Sequence, residues 1–365
     1  MIAFLALCIW LYLFFLHGKF WESGPELPVA LPTSLPEVDI IVPARDEAGS
    51  IAPVIASLLA QDYAGVFRVT LVDDNSTDGT AALAGVHPRL RIVTGSAKPP
   101  GWSGKLWALQ QGVAVSTAEV LCFADADITH APQHLSALVA RLLSPRVEMV
   151  SEMVRLNCTA WPERFLIPAF VYFFQMLYPF SRVNNPHSRT AAAAGGTVLI
   201  RAAALGRIGG LERIKGALID DVSLAREVKK TGAIYLGHSG LATSIRPYPR
   251  VADIWHMVTR TAFTQLNYSA SILAGTLIGL TLVWLVAPYE LLFGHGWRFL
   301  FGAAAFALAM VSYFPTLARY RQSRVFALAL PFVALFYMAA TLASAALHWR
   351  GAGAQWKNRA YGAMP

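Results

Sequence analysis

The chain begins with an apolar segment. Residues 2–16 form an unbroken apolar and aromatic run without a charge, and Lys19 and Trp21 follow it closely. A cleaved signal peptide normally carries a basic residue before its apolar part and small residues at its cleavage site. Because neither Lys nor Arg precedes this run, the pattern favours a transmembrane anchor over residues 1–21.

Apolar segments return in the C-terminal third of the chain. Their approximate bounds are residues 271–289, 299–317 and 325–347. Each is close to the ~20 residues that a helix needs to span a bilayer, and helices buried in a soluble core are a poor alternative at this length and polarity. The pattern predicts about three transmembrane helices within residues 269–349, with a juxtamembrane segment at 251–268 and a basic tail at 350–365.

The distribution of Lys and Arg predicts the orientation, because these residues favour the cytoplasmic side of a membrane. Lys19 follows the anchor, which places the N-terminus outside and the long polar middle of the chain in the cytoplasm. The arginines within residues 318–324 also fit a cytoplasmic turn, if the two preceding apolar segments form a hairpin. Three full C-terminal spans would instead place Arg350, Lys357 and Arg359 outside. The number of C-terminal spans and the side of the tail therefore stay open.

The polar middle of the chain alternates short strand-like runs with helical patterns. The strand-like runs begin at Val38, Phe67, Leu90 and Glu119. Residues 50–61 carry apolar side chains with the spacing of an amphipathic helix. Strands that alternate with helices predict a mostly parallel sheet with crossover helices. We therefore expect an α/β domain over residues 36–250.

One more apolar segment, residues 161–180, lies inside this range. It is rich in aromatic residues, but prolines, Glu163 and Arg164 interrupt or flank it. An interfacial amphipathic helix fits this pattern better than a membrane span. A buried core helix fits it about as well, so these two interpretations stay open.

Acidic residues directly follow two of the strand-like runs. Residues 73–80 are Asp-Asp-Asn-Ser-Thr-Asp-Gly-Thr, and residues 125–127 are Asp-Ala-Asp. Ligands of parallel sheets bind beyond the carboxyl ends of the strands, so the clusters indicate a site. A turn with a helix N-cap would equally explain the first cluster. Carboxylates at a strand end also suit Mg²⁺ or Mn²⁺, which prefer oxygen ligands and often bridge to substrate phosphates.

Two later motifs add candidates. The Ala-Ala-Ala-Ala-Gly-Gly-Thr segment at 191–197 either allows a close approach to the backbone or simply packs tightly. Asp220 and Asp221 begin a short amphipathic helix, where acids suit the helix dipole. A carboxylate there can also act as a general base toward an attacking hydroxyl. The chain lacks a Walker A loop and a G-x-G-x-x-G motif, so the corresponding NTPase and dinucleotide-enzyme classes lose support.

Composition supports a membrane protein. Of 365 residues, 55% are hydrophobic and only 14% are charged, against about a quarter charged in soluble proteins. The three cysteines form no C-x-x-C pair, so they signal neither a zinc site nor a disulfide framework. The net charge of +8 is mostly juxtamembrane, because residues 269–365 hold seven Lys and Arg but one acid. Lipid headgroups explain this charge, and we expect no nucleic-acid partner.

The motifs in this order resemble family 2 glycosyltransferases with a GT-A fold. They are Val-Pro-Ala-Arg-Asp-Glu at 42–47, the acidic run at 72–80, Gly-Lys at 104–105, Asp-Ala-Asp at 125–127 and Asp-Asp at 220–221. The anchor, the C-terminal spans and the Trp-Lys-Asn-Arg-Ala-Tyr tail at 356–361 look most like the hopene-associated glycosyltransferases of bacterial hopanoid gene clusters.

This resemblance implies a Rossmann-like, mostly parallel mixed sheet between the anchor and the C-terminal transmembrane helices. The implied enzyme lies in the bacterial inner membrane with its catalytic domain in the cytoplasm. It would use a divalent cation to move a single sugar, with inversion, from a UDP- or GDP-sugar to a hydroxyl of a lipid. A hopanoid-related lipid is one candidate acceptor.

The resemblance also implies roles for the matched residues on the donor side. The nucleotide base and ribose would be lined by Pro43, Ala44, Arg45 and Glu47, with Asp73 or Asp74 at the base edge. Lys105 would lie near the nucleotide or diphosphate, with a plain surface lysine as the alternative.

The implied catalytic groups are acids. Asp125 would face the ribose and diphosphate, and Asp127 would hold the Mg²⁺ or Mn²⁺ ion. Asp221 would be the base of the inverting transfer. Asp220 replaces the usual Glu of the family, so which of the two carboxylates acts stays open.

One departure from the family concerns processivity. Processive members carry Gln-x-x-Arg-Trp after the base, and only Arg260 remains in the corresponding residues 257–261. Arg260 would either clamp the diphosphate through its fork of donors or meet lipid headgroups. Transfer of a single sugar is therefore expected.

Functions of other classes remain as alternatives. A transporter would carry ionisable residues in several spans, and the C-terminal segments hold almost none. A catalytically silent scaffold of the same fold would lack some of Asp73, Asp127 and Asp221, which are all present. A phospholipid-linked nucleotidyltransferase would attack phosphorus, and a polyprenyl-phosphate glycosyltransferase would use another acceptor. Product analysis separates these last two.

Overall fold

The structure is a computed structural model that describes residues 1–351 and the backbone of residues 355–356 and 359–360. Most of the expected basic tail at 350–365, including Lys357 and the side chain of Arg359, lies outside the described residues. The tail motif at 356–361 therefore lies largely outside them as well.

The elements alternate between strands and helices through the middle of the chain. The strands are β1 (Val38–Ala44), β2 (Phe67–Asp73), β3 (Leu90–Thr94), β4 (Val120–Ala124), β5 (Ile128–His130), β6 (Val147–Arg155), β7 (Thr197–Arg201), β8 (Ala233–Ser244), β9 (Gln355–Trp356) and β10 (Arg359–Ala360). The α-helices are α1 (Ile2–Leu11), α2 (Ile51–Leu59), α3 (Thr80–Leu83), α4 (Gly104–Ala114), α5 (His134–Leu142), α6 (Trp161–Leu177), α7 (Phe180–Asn184), α8 (Ala202–Arg207), α9 (Asp220–Lys229), α10 (Val251–Thr259), α11 (Ala262–Gln265), α12 (Ala270–Trp284), α13 (Val286–Phe293), α14 (Trp297–Arg319) and α15 (Leu330–Trp349). Short π- and 3₁₀-helical turns cover Tyr12–Leu16, Phe20–Glu22, Leu211–Ile214 and Arg324–Ala329.

The described chain divides into two compact units. The α/β unit contains Pro25–Asn157 and Arg182–Pro247. The helical unit contains Met1–Gly24, Cys158–Ser181 and the chain from Tyr248 onwards through residue 351.

In the α/β unit, strands β1 to β8 form one sheet in the order β3-β2-β1-β4-β7-β6-β8-β5. The first half is parallel, with Val38 of β1 paired to Phe67 of β2 and to Val120 of β4. Strand β7 runs antiparallel to β4 and β6, and β8 runs parallel to β6 but antiparallel to β5. This mixed α/β sheet confirms the fold class expected from the sequence.

Burial explains why these segments form the sheet and its covering helices. Every residue of β1 is buried, as is usual for a strand covered on both faces. The buried residues of α2 recur at helical spacing, so one face of the helix packs on the core. Asp39, which is buried in β1, accepts a hydrogen bond of 2.8 Å from the Thr70 hydroxyl of β2. This pairing satisfies the one acid of β1 inside an apolar sheet.

The helical unit holds the apolar segments. By length and composition, three segments of the described chain are apolar helices able to cross a membrane: Ala270–Phe293, Trp297–Arg319 and Arg324–Trp349. The N-terminal apolar helix, Ile2–Leu16, is shorter. Glu290 is buried near the end of the first segment, and its two carboxylate oxygens accept hydrogen bonds of 2.9 and 3.0 Å from Arg298.

Helix α6, which covers most of the 161–180 segment, belongs to the helical unit, although the sequence range of the α/β domain included it. Tyr172 of α6 is fully buried, and its hydroxyl forms a hydrogen bond of 2.6 Å with Ser312 of α14. Its ring also packs against Phe20 and Trp284. Tyr172 of this segment therefore serves packing between helices, whereas Trp161 at its start is 66% exposed.

Candidate active site

The Lys105 side chain contacts two other residues that were predicted for the site. Lys105 is the second residue of α4, whose preceding Ser103 caps the helix by accepting a hydrogen bond of 3.3 Å from Leu106 N. The Lys105 ammonium lies 2.8 Å from Asp125 Oδ1 and 3.2 Å from Asp220 Oδ2. Asp125 follows β4 and Asp220 begins α9, so the site forms beyond the carboxyl end of a parallel strand, as the sequence predicted.

Asp221 and Gly195 complete this group. A Cβ atom placed on Gly195 would lie 3.1 Å from Asp221 Oδ2 and 3.5 Å from Lys105 Nζ. The first distance is shorter than an ordinary contact of about 3.5–4 Å between carbon and its neighbours. The residues at 191–197 thus combine tight packing of buried alanines with a close approach of a charged group to the Gly195 backbone.

A small cavity of about 20 Å³ lies beside these groups. Lys105, Asp220 and Asp221 line it together with apolar side chains that include Leu109, Phe123 and Leu224. Such a volume holds about one water-sized group. The apolar lining limits the hydration of the carboxylates.

Burial changes the protonation of Asp221. Loss of hydration, followed by the negative charge of Asp220, raises the pKa of Asp221 to about 7, although Lys105 opposes this rise. Burial alone would lower the pKa of Lys105, but Asp125 and Asp220 outweigh it and raise that pKa well above its usual value. The site therefore contains a fixed ammonium beside a carboxylate that titrates near neutral pH.

Asp127 lies in a second group, with Arg246 and Glu47. Arg246 Nε lies 2.5 Å from Asp127 Oδ2, and Arg246 Nη2 lies 3.0 Å from Glu47 Oε1. Arg246 follows β8 by two residues, and its guanidinium bridges an acid after β4 with an acid after β1. The sequence predicted a role for both acids but not for Arg246.

The residues around Asp127 fit a divalent cation of the Mg²⁺ or Mn²⁺ type. Among the described residues, no group of three or more His, Cys, Asp or Glu side chains is arranged to hold a metal ion. Mg²⁺ sites that serve phosphate substrates usually need only one or two carboxylates, because phosphates and waters supply the other ligands. Asp127 and Asp125, both at the end of β4, offer such a partial set.

The predicted base-binding loops follow β1 and β2. Pro43 and Ala44 are buried in β1, and the Ala44 carbonyl accepts a hydrogen bond of 2.8 Å from Asp74 N. Asp74 is fully buried, and Arg45 donates a hydrogen bond of 2.6 Å to its carbonyl. Asp73 is only half-buried. Of the two aspartates, Asp73 is therefore the one whose side chain is accessible to a ligand.

The same loops are shaped by local polar contacts. Asp46 and Asn75 adopt positive φ angles of 51° and 56°, which short polar side chains tolerate better than most. Asp46 Oδ1 accepts a hydrogen bond of 2.8 Å from Thr77 N, and Asp78 accepts one of 3.0 Å from Thr80 N. The turn explanation of the 73–80 cluster is therefore correct for Asp78, whereas the N-cap residue of α3 is Gly79, which has no side chain to cap the helix. The Asp73 side chain stays available to a ligand.

Arg260 lies in the helical unit. It is exposed and follows the last turn of α10. The diphosphate and headgroup interpretations of Arg260 both remain predictions.

Comparison with known proteins identifies the α/β unit. Residues 39–209 match the model of the family named Glycosyl transferase family 2. This match supports a family 2 glycosyltransferase domain over these residues. The match covers β1 to β7, which includes Asp73, Lys105, Asp125 and Asp127.

Relatives and a solved structure extend this likeness beyond the glycosyltransferase domain. The chain is 26% identical to a beta-monoglucosyldiacylglycerol synthase of Nostoc sp. (strain PCC 7120) over 348 residues, which cover 87% of this chain and 72% of that protein. It is 33% identical to an N-acetylglucosaminyltransferase of Sinorhizobium fredii over 132 residues, or 34% of this chain and 31% of that protein. A mannosyltransferase from Pyrobaculum calidifontis, solved with GDP-Man and Mn²⁺, has a TM-score of 0.57 and 21% identity, and the alignment covers 95% of this chain and 99% of that one. The GT-A fold expected from the sequence is confirmed.

Two residues beside the predicted acids, Gly195 and Arg246, make close approaches that the sequence did not indicate. Gly195 was considered only as part of a small-residue run, and Arg246 was not considered. The rule that indicated Asp125 applies to Arg246 too, since it closely follows the end of a strand and precedes Pro247. The long strand β8 was not recognised in the sequence, so this signal was missed.

Proposed function

We propose that the protein is a membrane-bound inverting glycosyltransferase that moves a single sugar from a nucleotide-sugar to a hydroxyl of a lipid. The α/β domain, with its range of 36–250 from the sequence, would bind the donor. The helices at 1–21 and 269–349 would hold the protein in the bacterial inner membrane, with the α/β domain in the cytoplasm.

The observation that carries this proposal is the Asp221 carboxylate beside Lys105 and Asp125. A pKa of about 7 suits a general base, because the carboxylate then accepts a proton more strongly than an ordinary aspartate and is still about half ionised at neutral pH. Asp220 is the weaker candidate, because its carboxylate is paired with the Lys105 ammonium at 3.2 Å. We therefore assign the base to Asp221.

The chemistry follows from this assignment. Asp221 takes the proton of the acceptor hydroxyl as its oxygen attacks the anomeric carbon of the donor. The bond between that carbon and the diphosphate breaks, and its electron pair leaves with the nucleoside diphosphate. Attack from the face opposite the leaving group inverts the anomeric carbon. The proton remains on Asp221 until solvent removes it.

Cationic groups would stabilise the departing diphosphate. Lys105 remains charged throughout, because three carboxylates surround it. A divalent cation held by Asp127, with Asp125 beside it, would neutralise charge on the diphosphate. Arg260 is a further candidate for the diphosphate.

Donor recognition would use the loops after β1 and β2. Pro43, Ala44, Arg45 and Glu47 would line the base and ribose, with Asp73 at the base edge in preference to the buried Asp74. The similar mannosyltransferase was solved with GDP-Man and Mn²⁺. A transfer assay should therefore test GDP- and UDP-sugars as donors, with Mn²⁺ or Mg²⁺ as the cation.

The acceptor would be a lipid with a free hydroxyl. The relative that aligns with 87% of the chain is named for glucosyldiacylglycerol synthesis, and three described helices are apolar enough to span a membrane. A hopanoid-related acceptor rests on the resemblance of motifs and layout alone. Diacylglycerol and hopanoid alcohols are therefore the two acceptors to compare.

The test is transfer of radiolabelled sugar into extracted lipid. Membranes that contain the protein are incubated with UDP- and GDP-sugars, with and without Mn²⁺, and with diacylglycerol or a hopanoid alcohol. We expect one donor to label lipid and Asp221→Asn to lower the rate by about 10²–10⁴. Absence of transfer with every donor, despite a folded protein, would favour the silent scaffold.

The same assay separates the remaining alternatives. A polyprenyl phosphate is already ionised, so an enzyme that uses it as acceptor needs no base and would tolerate Asp221→Asn. A nucleotidyltransferase would transfer the label of an α-phosphate-labelled donor to lipid, whereas a glycosyltransferase would not. Transfer that survives a chelator would remove Asp127 from the role of metal ligand.

A further inference from the structure

Arg246 neutralises the carboxylate that the sequence assigns to a metal ion. Its guanidinium contacts Asp127 at 2.5 Å and Glu47 at 3.0 Å, through different nitrogens. The Asp127 and Glu47 side chains are only 17% and 14% exposed, whereas that of Arg246 is 37% exposed. Charge-assisted hydrogen bonds in partly buried surroundings are stronger than surface ion pairs. The two Arg246 contacts are therefore stronger than ordinary surface ion pairs.

The backbone fixes Arg246 beside Asp127. Strands β5 and β8 pair antiparallel, with Ile128 opposite Ser244. Beyond that pair, Ile245 N donates a hydrogen bond of 2.9 Å to the Asp127 carbonyl. Arg246 is the next residue, and Pro247 follows it. The side chain therefore begins close to Asp127 whichever rotamer it adopts.

We propose that Arg246 and a divalent cation compete for the Asp127 carboxylate, so that the protein without nucleotide binds Mg²⁺ or Mn²⁺ weakly. The reason for a cation at Asp127 rests on the proposed function, but the competition itself concerns only these side chains. The guanidinium donates to Asp127 Oδ2, and a divalent cation bound to the same carboxylate would be repelled by this neighbouring positive charge. Metal binding at Asp127 therefore requires Arg246 to move away.

Glu47 gives Arg246 an alternative partner when it leaves Asp127. Its Oε1 accepts from Arg246 Nη2, and its Oε2 accepts a hydrogen bond of 3.2 Å from Ser50 Oγ. The Glu47 backbone is also fixed, because its N–H donates a hydrogen bond of 2.8 Å to Thr80 Oγ1. A displaced guanidinium thus retains a carboxylate, which avoids the cost of an unpaired charge.

The donor would then assist the exchange. A diphosphate offers oxygens that suit the planar fork of an arginine, and it also offers further ligands to the metal. Both effects favour the state in which Arg246 has released Asp127. Competition of this kind couples metal binding to donor binding without any large movement of the backbone.

The test is Mn²⁺ affinity in the absence of nucleotide, measured from free Mn²⁺ by electron paramagnetic resonance on the detergent-purified full chain. The variant is Arg246→Gln, which keeps hydrogen bonding but removes the charge. The matched control is Arg207→Gln, because Arg207 forms an ion pair of 2.9 Å with Glu148 and is 45% exposed. A third protein, Arg246→Gln with Asp127→Asn, locates the site.

We expect Arg246→Gln to bind Mn²⁺ about tenfold more tightly than the wild type, and Arg207→Gln to leave the affinity unchanged. The gain should disappear when Asp127→Asn is added. An Arg246→Gln affinity within about twofold of the wild type would overturn the proposal, as would a gain that survives Asp127→Asn.

A second variant tests the proposal if Arg246→Gln does not fold. Should Arg246→Gln not fold, Arg246→Lys retains the charge but contacts one carboxylate at a time, and a Mn²⁺ affinity gain of about threefold is then expected. No gain in that variant would refute the competition. Sugar transfer is not measured here, so failure of the proposed function leaves this result standing, and the reverse is equally true.

Discussion

Asp221 Oδ2 lies 3.1 Å from the point where a side chain at Gly195 would begin. The two residues belong to different elements, since Gly195 precedes β7 and Asp221 lies in the first turn of α9. The absence of a side chain at residue 195 therefore allows the Asp221 carboxylate, which we propose as the base, to occupy its position beside Lys105.

The first prediction concerns this contact. Gly195→Ala adds a methyl group that must push the Asp221 carboxylate away, because a flexible side chain yields more readily than the backbone. The carboxylate must give by a few tenths of an ångström, and a full ångström can cost as much as about 10²-fold in rate. We therefore expect kcat to fall by about threefold to tenfold with little change in the melting temperature. The measurement is sugar transfer at saturating donor.

The control for this prediction is Gly206→Ala. Gly206 lies in α8, and a methyl group there would meet no atom within 4 Å. That variant should keep full activity and gain up to about 1 kcal/mol of stability from the helix preference of alanine. Equal loss of activity in both variants would show that the Gly195 contact has no special role.

The second prediction concerns pH. Asp221 acts as a base only when it has lost its proton, and its pKa is raised to about 7. The rate of transfer should therefore rise with pH and level off above about 7, which a profile of kcat/KM against pH measures in the free enzyme. We call the rising part of this profile the pH limb, and the residual activity of Asp221→Asn should lack it. A limb near pH 4 in the wild type would contradict the assignment.

Part of this site follows from the sequence, and part does not. Asp125 was predicted from a local pattern, because a strand ends directly before it. Lys105 was predicted from the family resemblance alone. The residues of β1 and β2 are evident from continuous apolar runs. The alternation of strand-like runs with helical patterns also indicated the parallel half of the sheet.

Other features depend on pairings between distant parts of the chain. Asp125 N bonds to the Gly196 carbonyl, and Ile245 N bonds to the Asp127 carbonyl. These contacts arise from the antiparallel strands β7 and β8, whose order in the sheet differs from their order in the sequence. No local pattern specifies such a register, so the close approach of Asp221 to Gly195 and the contact between Arg246 and Asp127 could not be predicted.

The third prediction tests the neighbours of Asp221 through opposite shifts of the same pH limb. Asp220 raises the pKa of Asp221, so Asp220→Asn should move the limb to lower pH. Lys105 lowers that pKa, so Lys105→Met should move the limb to higher pH. The maximum rate should fall in Lys105→Met, because the diphosphate loses a cation. Shifts in the same direction would indicate a general disturbance of folding instead.

The last prediction concerns stability, and it depends on a buried cluster outside the site. His130 Nδ1 and His134 Nδ1 lie 2.9 Å apart, and the other nitrogen of His134 contacts Glu152. Burial, and then the proximity of His134, lowers the pKa of His130 well below its usual value of 6.5. Below pH 6.5 the unfolded chain therefore takes up a proton at this residue, while the folded protein does not. The free energy of unfolding should fall as the pH decreases through this window.

Melting curves of tryptophan fluorescence at pH 7.5, 6.5 and 5.5 measure the effect, and His130→Gln should show a shallower decline than the wild type. His187→Gln serves as the control, because His187 is exposed and its replacement should leave the slope unchanged. Identical slopes for all three proteins would mean that protonation of His130 does not limit stability in acid.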